Sequence, residues 1–528
     1  MFWKNVTFIV LINVLLLTGC ADQDSDNENC NHYWSNWLVK ITPTCSTEGV
    51  EERICVYNTS HIETRVIVID PNSHNYINWI QTTAPTWATE GIENSFCSYN
   101  TSHIGVREIN ALWYNDTLSE KLKWLRDNAI RNTEYKLLVI SNENIISQNF
   151  PFSSNSNITI RLINNQNEKI ISLEGNGSLF IIDSGLTLIL DNNITLQGHN
   201  SNNDSLITVN NGGLLIMNNG SKIINNFSSS DFGGGVNVNS NGNFIMNGGY
   251  ISGNTVLGEN YYYSSTVGGG GVYVSGTFTM NGGQIFNNIA NLSGGGINVN
   301  LDGVFNMNGG YVLNNTAKEG GGIYVSGNVS MSNGKISNNT AISGAGVSIY
   351  GFFNSNYARF ILEDGVISEN ITSGDGGGVR LYNWSSFIMN NGVISENIAS
   401  GDGGGVFNGS FFTMNGGKII NNTGNYGGGV YVGSVPRFNM NDGEIFGNSA
   451  LIGGGVYITV SSTVSNGRTF SKTGGMIYGY IIGDNNSNFA QEIGHAVYLN
   501  SPVKRRENNA GDVINMDSTT DINWIIGN

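Results

Sequence analysis

Charge is scarce in this 528-residue chain, in which Asp, Glu, Lys and Arg together make up 12% of the residues. That is about half of the ~25% found in average soluble domains, and it argues against a coiled coil and against charge-driven disorder. Only 24 residues are Lys or Arg, and the formal net charge is −16. The chain therefore lacks the basic surface that general nucleic-acid binding needs, and we expect no nucleic-acid partner.

Proline and cysteine are also few, with 6 and 5 residues respectively. The shortage of proline excludes a collagen triple helix, although glycine, with 71 residues, is about twice as common as usual. All cysteines lie before residue 98, whereas all glycine triplets follow residue 230. This division predicts two kinds of architecture in one chain.

The N-terminus has the features of an export signal. Residues 6–17 form an apolar run that is too short to span a bilayer as a helix but fits the core of a signal peptide. The run ends in LTGC, which resembles the lipobox of bacterial lipoproteins. The resemblance implies a lipoprotein signal peptide over residues 1–20, lipidation at Cys20 and an acidic tether over residues 21–29. We expect a lipid-anchored outer-membrane protein at the cell surface; an ordinary secretory signal is the alternative.

A segment of the chain recurs after 42 positions, as the offset between Trp37 and Trp79 illustrates. So many matches at one offset indicate an internal duplication, and we predict a duplicated small β module, each copy a hairpin unit, over residues 30–110. Further matching pairs are Cys55 and Cys97, His61 and His103, and Arg65 and Arg107.

The cysteines of this module are candidates for disulfides. Four remain once the lipidated one is set aside, and export permits disulfide formation. Cys45 and Cys55 flank Gly49, a predicted turn residue, so these two could pair. Cys97 then has Cys30 as a candidate partner, and the connectivity stays open.

The two equivalent histidines raise the question of zinc. Neither His61 nor His103 belongs to a C-x-x-C or H-x-x-x-H spacing, which zinc sites commonly use. We therefore expect both to be surface histidines, and we predict no metal site and no cofactor in the module.

The first copy has the order W-x-x-W…C-x-x-x-G…R-x-C over residues 34–55. This order resembles a thrombospondin type 1 repeat, a family whose modules bind glycans or proteins. The resemblance implies that Trp34 and Trp37 stack with Arg53 through cation–π contacts. The second copy departs from the pattern, because Ser95 stands where the first copy has Arg53.

A helix is predicted after the module. Thr117 and Glu120 have the spacing of a capping box, and the helix should extend over about 15 residues to near Asn132. A helix at this place can cover the exposed end of a strand stack. Residues 111–150 are therefore predicted to form a capping helix and a first strand.

From residue 231 to residue 480 the chain repeats the motif GGGV-x-V…F-x-M-N-G-G-x-I-x-x-N-x-A. The segments V-x-V, F-x-M and x-I-x each alternate with a period of two, as β-strands do. Three strands in about 25 residues make one coil of a parallel β-helix, whereas a propeller blade needs about 40 residues. We predict an all-β fold, with a right-handed parallel β-helix of the pectin-lyase type over residues 151–500 and a C-terminal cap over 501–528.

Two sets of equivalent residues in the repeat, a Met column and an Asn column, have a predicted structural role. The Met column should fill the interior of the β-helix, because its soft side chains adapt to irregular gaps. The Asn that follows each Met by eight residues should form a ladder in which each amide bonds the next coil. The predicted ladder consists of Asn254, Asn288, Asn315, Asn339, Asn370, Asn397, Asn422 and Asn448.

The repeats resemble GGGV/F-x-M-x-G-G repeats of spirochaete-type surface lipoproteins and, less closely, the repeats of chlamydial polymorphic outer-membrane proteins. The resemblance covers about residues 111–528 and implies a surface-exposed β-helix. The chlamydial proteins end in an autotransporter barrel, and for this chain we expect the N-terminal lipid to provide the anchor instead.

Many right-handed β-helices cleave polysaccharides, a reaction that needs paired carboxyl groups. The repeats lack the Asp-Asp, Gly-His-Gly and Arg-x-Lys signatures of polygalacturonase-like enzymes. Asp375 and Asp402 occupy equivalent positions in adjoining coils, as do Glu369 and Glu396, and stacking would bring each pair to about 5 Å at the backbone. We interpret these acids as solvated turn residues and predict no catalytic residue. A weak Ca²⁺ site at Asp375 and Asp402 is the alternative.

Two inserts interrupt the repeat and are candidate ligand loops, because function in such scaffolds concentrates on inserts. Exposed aromatic side chains supply contact area at little entropic cost; local packing against the coils is the alternative reading. The candidate residues are Tyr261, Tyr262 and Tyr263 in the first insert and Phe352, Phe353 and Tyr357 in the second.

Together these features predict a non-catalytic adhesin that binds an extracellular glycan or protein. A polysaccharide lyase or glycoside hydrolase of the β-helix class is one alternative, and a purely structural surface protein is another. The oligomeric state is left open.

Overall fold

The computed structural model of the chain describes residues 33–86, 90–111, 115–164, 167–258, 267–352, 358–433, 437–459, 470–479 and 485–500, with two short strands beyond them. The chain divides into two compact units, Met1–Trp113 and Tyr114–Asn528. Several predicted features lie outside the described residues: the signal peptide and tether with Cys20, the candidate disulfide residue Cys30, and the loop residues Tyr261, Tyr262, Tyr263, Phe353 and Tyr357.

Both copies of the duplicated module fold into three-stranded antiparallel sheets, rather than the hairpins expected. Glu51 lies opposite Arg65 in the first sheet, and Glu93 lies opposite Arg107 in the second. This shared register confirms the duplication. The strands of the first copy are Leu38–Ile41, Gly49–Ile54 and Ile62–Ile67, and those of the second are Tyr76–Thr83, Gly91–Cys97 and Ile104–Ile109.

The proposed pairing of Cys45 with Cys55 is wrong, because Gly49 begins a strand and does not form a turn. A Cβ on Gly49 would lie 2.5 Å from the carbonyl oxygen of Ile41, so the close approach of the first strand requires glycine. Cys45 precedes the strand Gly49–Ile54 and Cys55 follows it. Sγ of Cys45 lies 3.5 Å from Sγ of Cys97 instead.

The predicted capping helix is present at Leu118–Asn128, and both hydrogen bonds of the Thr117–Glu120 capping box are formed. The helix has 11 residues, fewer than expected, because the backbone becomes extended at Ala129. The carboxylate of Glu143, on a strand of the first coil, accepts hydrogen bonds from the N–H groups of Leu118 and Ser119 at 2.7 and 3.1 Å. These contacts fix the helix to the β-helix, as expected for a cap.

The second unit is, as predicted, a parallel β-helix of the right-handed type. It has about 11 turns. Each complete coil contributes strands to up to four columns, numbered here in chain order. The first column follows the glycine triplets, and its members pair in parallel with the coils before and after. Its strands are Gln148–Asn149, Phe180–Ile182, Ile207–Val209, Val236–Val238, Val272–Val274, Ile297–Val299, Ile323–Val325, Val347–Gly351, Val430–Val432, Val456–Thr459 and Val497–Asn500.

The second column contains the F-x-M segments. Two long strands, Val379–Met389 and Val406–Met414, run through both the first and the second column. The remaining strands of the second column are Glu134–Leu138, Ile158–Ile163, Leu186–Leu190, Leu214–Met217, Asn243–Met246, Thr277–Met280, Val304–Met307, Asn328–Met331, Ala358–Leu362, Arg437–Met440 and Phe470–Lys472.

The third and fourth columns complete each coil. The third column consists of Glu143–Ile145, Lys169–Leu173, Ile194–Gln197, Lys222–Ile224, Tyr250–Ser252, Gln284–Phe286, Tyr311–Leu313, Lys335–Ser337, Val366–Ser368, Val393–Ser395, Lys418–Ile420, Glu444–Phe446 and Met476–Ile477. The fourth consists of Phe227–Ser228, Thr255–Val256, Ile289–Ala290, Thr316–Glu319, Thr340–Ser343, Ile371–Thr372 and Ile398–Ala399, with Ser449–Ile452 and Phe489–Ile493 as a separate pair. An antiparallel pair, Arg506–Glu507 and Val513–Ile514, lies in the predicted C-terminal cap.

The interior of the β-helix is filled as predicted, because the Met column is fully buried. Two positions before most of these Met residues lies a buried Phe, and the rings stack from coil to coil in two runs separated by Val329. The rings of Phe412 and Phe438, for example, lie 4.6 Å apart and nearly parallel. This stacking adds to the area burial of each ring and favours one register between coils.

The Asn ladder is confirmed and is longer than predicted. Its buried side chains accept at Oδ1 and donate at Nδ2 from coil to coil, and the ladder extends to Asn226 at one end and Asn488 at the other. From Asn226 to Asn448, the residue before each ladder Asn has a positive φ and is Asn or Gly in most coils. Within that stretch Glu369 and Glu396 are the exceptions in residue type, with φ of 59° and 57°.

A second Asn ladder lies on the solvent side, directly after the Met column. Asn415 donates to Oδ1 of Asn390 at 2.8 Å and accepts from Asn441 at 2.8 Å. The same residue type thus forms one ladder in the interior and another at the surface.

None of the helical segments described has both the length and the apolar character that crossing a membrane would need.

Candidate ligand-binding surface

A group of aromatic side chains lies on the first column beside the second predicted insert. Tyr350 lies opposite Tyr382 in the parallel pairing of adjoining coils. The ring of Tyr350 is 5.9 Å from that of Tyr382 and 5.1 Å from that of Phe352. We call Tyr350, Phe352, Tyr382 and Trp384 the aromatic patch.

A local change in the backbone exposes the patch. Asn383 has a φ of 55° and interrupts the alternation of the strand Val379–Met389, so that Tyr382, Asn383 and Trp384 are exposed in succession. Tyr382 and Trp384 are each 43% exposed. Adjacent exposed aromatic side chains are a feature of binding surfaces rather than of solvated strands.

A cation accompanies the patch. The guanidinium of Arg380 lies 5.0 Å from the centre of the Tyr382 ring, within the range of a cation–π contact. Its Nε atom is buried and has no hydrogen-bond partner among the residues described. Arg380 therefore has an unused donor beside the aromatic rings.

A neighbouring row of rings has a structural role instead. Phe407, Tyr431, Tyr457 and Tyr498 stack at 4.9, 5.4 and 5.3 Å with interplanar angles of 6°, 6° and 24°. Because each ring covers the face of the next, little ring face is left for a ligand. Tyr457 is only 6% exposed. This row stabilises the coil register and is not a binding platform.

The paired acids of the sequence prediction do lie on adjoining coils. Oδ1 of Asp375 accepts a hydrogen bond from the backbone N–H of Asp402 at 2.9 Å, and Oδ1 of Asp402 accepts one from Tyr426 at 3.2 Å. These bonds use one oxygen of each carboxylate to cap the next coil. Burial, together with the Asp375 charge, raises the pKa of Asp402 to about 6.

The described residues provide no third acidic or histidine side chain to complete a metal cluster with Asp375 and Asp402, so Ca²⁺ binding there stays a prediction. Glu369 has a different environment, because Lys335 binds it at 2.8 Å. That contact lowers the pKa of Glu369. Glu369 is thus paired with a cation of an adjoining coil.

Of the six predicted loop aromatics, Phe352 is the one that lies within the described chain, and it belongs to the patch. Tyr382 and Trp384 were not among the predicted binding residues, because their segment has the spacing of an ordinary repeat strand. One signal was available: Trp384 is the single tryptophan among residues 231–480.

The duplicated module contains the alternating stack that its resemblance implies. The guanidinium of Arg53 lies 5.0 Å from the Trp34 ring and 4.7 Å from the Trp37 ring, and Arg65 lies 4.3 Å from Trp37 on its other side. Carboxylates pair with both arginines: Arg53 with Glu63 and Arg65 with Glu51. Because these charges are compensated, the stack offers no cationic surface for an acidic ligand.

Comparisons with protein-family models, with curated proteins and with solved structures found no match to this chain. The aromatic patch is therefore assigned from its geometry: adjacent exposed rings, a cation at 5.0 Å from one of them, and a rigid stack of coils beneath.

Proposed function

We propose that this chain is a lipid-anchored cell-surface protein whose β-helix binds an extracellular glycan without catalysis. The observation that supports this function is the aromatic patch, in which Tyr382 and Trp384 are each 43% exposed and the Tyr382 ring lies 5.9 Å from that of Tyr350. The LTGC segment at residues 17–20 and the resemblance of the repeats to those of surface lipoproteins support the location.

The chemistry of the patch suits a sugar. Pyranose rings present apolar C–H faces that pack on aromatic rings, and their hydroxyl groups exchange hydrogen bonds with exposed phenolic hydroxyls such as that of Tyr382. The patch lies on paired strands, so its side chains lose little backbone freedom on binding. Such preorganisation reduces the entropic cost of association.

The test is an array of glycans and matrix proteins probed with the whole protein in detergent. Trp384→Ala should weaken binding at least tenfold, since removal of a central aromatic contact commonly costs more than 1.4 kcal/mol. Tyr311→Ala is the matched control, because Tyr311 is 49% exposed on the third column. Its affinity should stay within about twofold.

Three results would contradict the proposal. Equal losses in the two variants would show that the patch is not the site. Capture of matrix proteins without any glycan would replace the ligand class. Absence of a saturable ligand would favour the purely structural role.

One observation favours the enzymatic alternative. A carboxyl group with a pKa of about 6, as at Asp402, has the protonation behaviour of a general acid. A polysaccharide lyase or glycoside hydrolase predicts measurable cleavage that Asp402→Asn abolishes. Intact polysaccharide after prolonged incubation with the wild-type protein would remove this alternative.

A further inference from the structure

Four side chains that can bind a metal converge in the first unit, away from the β-helix repeats. Sγ of Cys45 lies 3.5 Å from Sγ of Cys97. The ligand atoms of Cys45, His74 and His103 all lie within 4.8 Å of one another. The rings of His74 and His103 meet edge to face, with centres 4.9 Å apart.

Backbone hydrogen bonds hold these residues in place. The N–H of Cys45 donates to the carbonyl of Ser73 at 3.1 Å, next to His74, and the N–H of Cys97 donates to the carbonyl of His103 at 2.9 Å. The first bond joins the two copies of the module, and the second closes the turn after the strand that ends at Cys97. The cluster is therefore built by the fold and does not depend on flexible side chains.

The polar atoms of the cluster lack the partners that buried groups require. Nδ1 of His74 and Nδ1 of His103 are buried and have no hydrogen-bond partner in the described part of the chain. Cys45 and Cys97 are buried free thiols. Unsatisfied buried groups of this kind are costly. A metal ion could bind the three mutually close ligand atoms of Cys45, His74 and His103, with Sγ of Cys97, 3.5 Å from Sγ of Cys45, as the fourth ligand.

We propose that Cys45, Cys97, His74 and His103 form a tetrahedral Zn²⁺ site. Two thiolates and two imidazoles are a ligand set that Zn²⁺ prefers, whereas Ca²⁺ and Mg²⁺ prefer oxygen. Zn–S bonds of about 2.3 Å in tetrahedral geometry place two sulfurs about 3.8 Å apart, close to the 3.5 Å observed.

The site has a structural role, because four protein ligands leave no open position for a substrate. Cys45 belongs to the first copy and the other three ligands to the second, so the metal would join the copies.

The test uses the whole protein in detergent, reduced, stripped of metal and titrated with Zn²⁺ alone. The variants are His74→Asn and His103→Asn, and the control is His61→Asn, which alters the equivalent residue of the first copy. We expect one Zn²⁺ per chain. Each ligand variant should weaken binding more than about 100-fold, beyond the effect of outer-shell changes, while the control stays within about twofold.

A second readout does not depend on the variants folding. Co²⁺ bound to two thiolates in a tetrahedral site gives intense visible absorption and sulfur-to-metal charge-transfer bands, which the wild-type protein should show. The proposal is overturned if reduced protein binds no Zn²⁺, if Co²⁺ keeps its hydrated spectrum, or if both histidine variants bind like the control. Protein isolated without reductant and found by mass spectrometry to contain a Cys45–Cys97 disulfide would also overturn it.

Discussion

Replacement of Asn397 by Leu tests the buried ladder directly. Nδ2 of Asn397 donates to Oδ1 of Asn422 and to the carbonyl of Ile367, both at 2.9 Å. Its Oδ1 accepts from the backbone N–H of Asn370 at 3.0 Å and from Nδ2 of Asn370 at 2.9 Å. Leucine has a similar size and can form none of these four bonds.

Four buried groups lose a partner in Asn397→Leu, but Oδ1 of Asn422 keeps the bond from the backbone N–H of residue 397. The other three are the backbone N–H and one side-chain N–H of Asn370, and the carbonyl of Ile367. At about 1–3 kcal/mol for each unsatisfied group, the free energy of unfolding should fall by roughly 3–9 kcal/mol, and relaxation of neighbours favours the lower half of that range. A solenoid coil contacts only its neighbours, so the damage should be local.

The assay combines guanidinium unfolding with hydrogen exchange measured on peptides from the affected coils. Asn415→Leu is the matched control, since Asn415 makes the same kind of ladder contact but is exposed, and water can replace its partners. We expect its loss to stay within about 1 kcal/mol. Similar losses in the two variants, or exchange that quickens evenly along the chain, would refute the role assigned to burial.

Three other changes have defined outcomes. Glu396→Gly should raise the free energy of unfolding by about 1 kcal/mol, because it removes a side chain from a residue with positive φ. Glu369→Gly should raise it by less, because this variant also loses the contact with Lys335. Equal increases in the two variants would contradict this reasoning. The pKa of Asp402 is about 6 in the fold against about 4 when unfolded, so the folded state keeps this proton to higher pH. The free energy of unfolding should therefore fall as the pH rises from about 4 to about 6, by less than about 3 kcal/mol after solvent screening. Asp402→Asn should flatten that slope in pH-dependent unfolding. Cys20→Ser should release the protein from the membrane fraction, and retention after a high-salt wash would reject the lipobox.

The fold was predictable because one pattern recurs many times. A period-two alternation in three short segments predicts strands, and the constant offset of eight residues between Met246 and Asn254, or Met280 and Asn288, indicates that they occupy fixed places in a coil. Stacking then follows from the repeat alone. The buried Asn ladder could be predicted on the same ground, because a polar residue at every equivalent position can satisfy only its copies above and below.

The features that the sequence analysis missed depend on backbone conformation within a single coil. Asn383 has a positive φ, and this one residue turns Tyr382 and Trp384 outward from a strand of ordinary spacing. In the module, Gly49 has the composition of a turn residue, yet it begins a strand because a neighbouring carbonyl leaves no room for a side chain. Local sequence patterns cannot distinguish a strand residue from a turn residue at such positions, since the close approach of two backbone segments arises only in the packed chain.

The Cys and His cluster shows the same limit for chemistry. Its members are separated by 29, 23 and 6 residues from Cys45 through His74 and Cys97 to His103, and no short zinc motif has these spacings. Antiparallel pairing within the second copy brings the last two together, and the bond between Cys45 and Ser73 adds the first two. The duplication also explains why only one such cluster is described: Trp87 takes the place of Cys45 in the second copy, so the two copies contribute unequally. In the proposed site, the first copy supplies the cysteine that the second copy lacks at position 87. This asymmetry would give His103 a ligand role that His61, its equivalent in sequence, does not have.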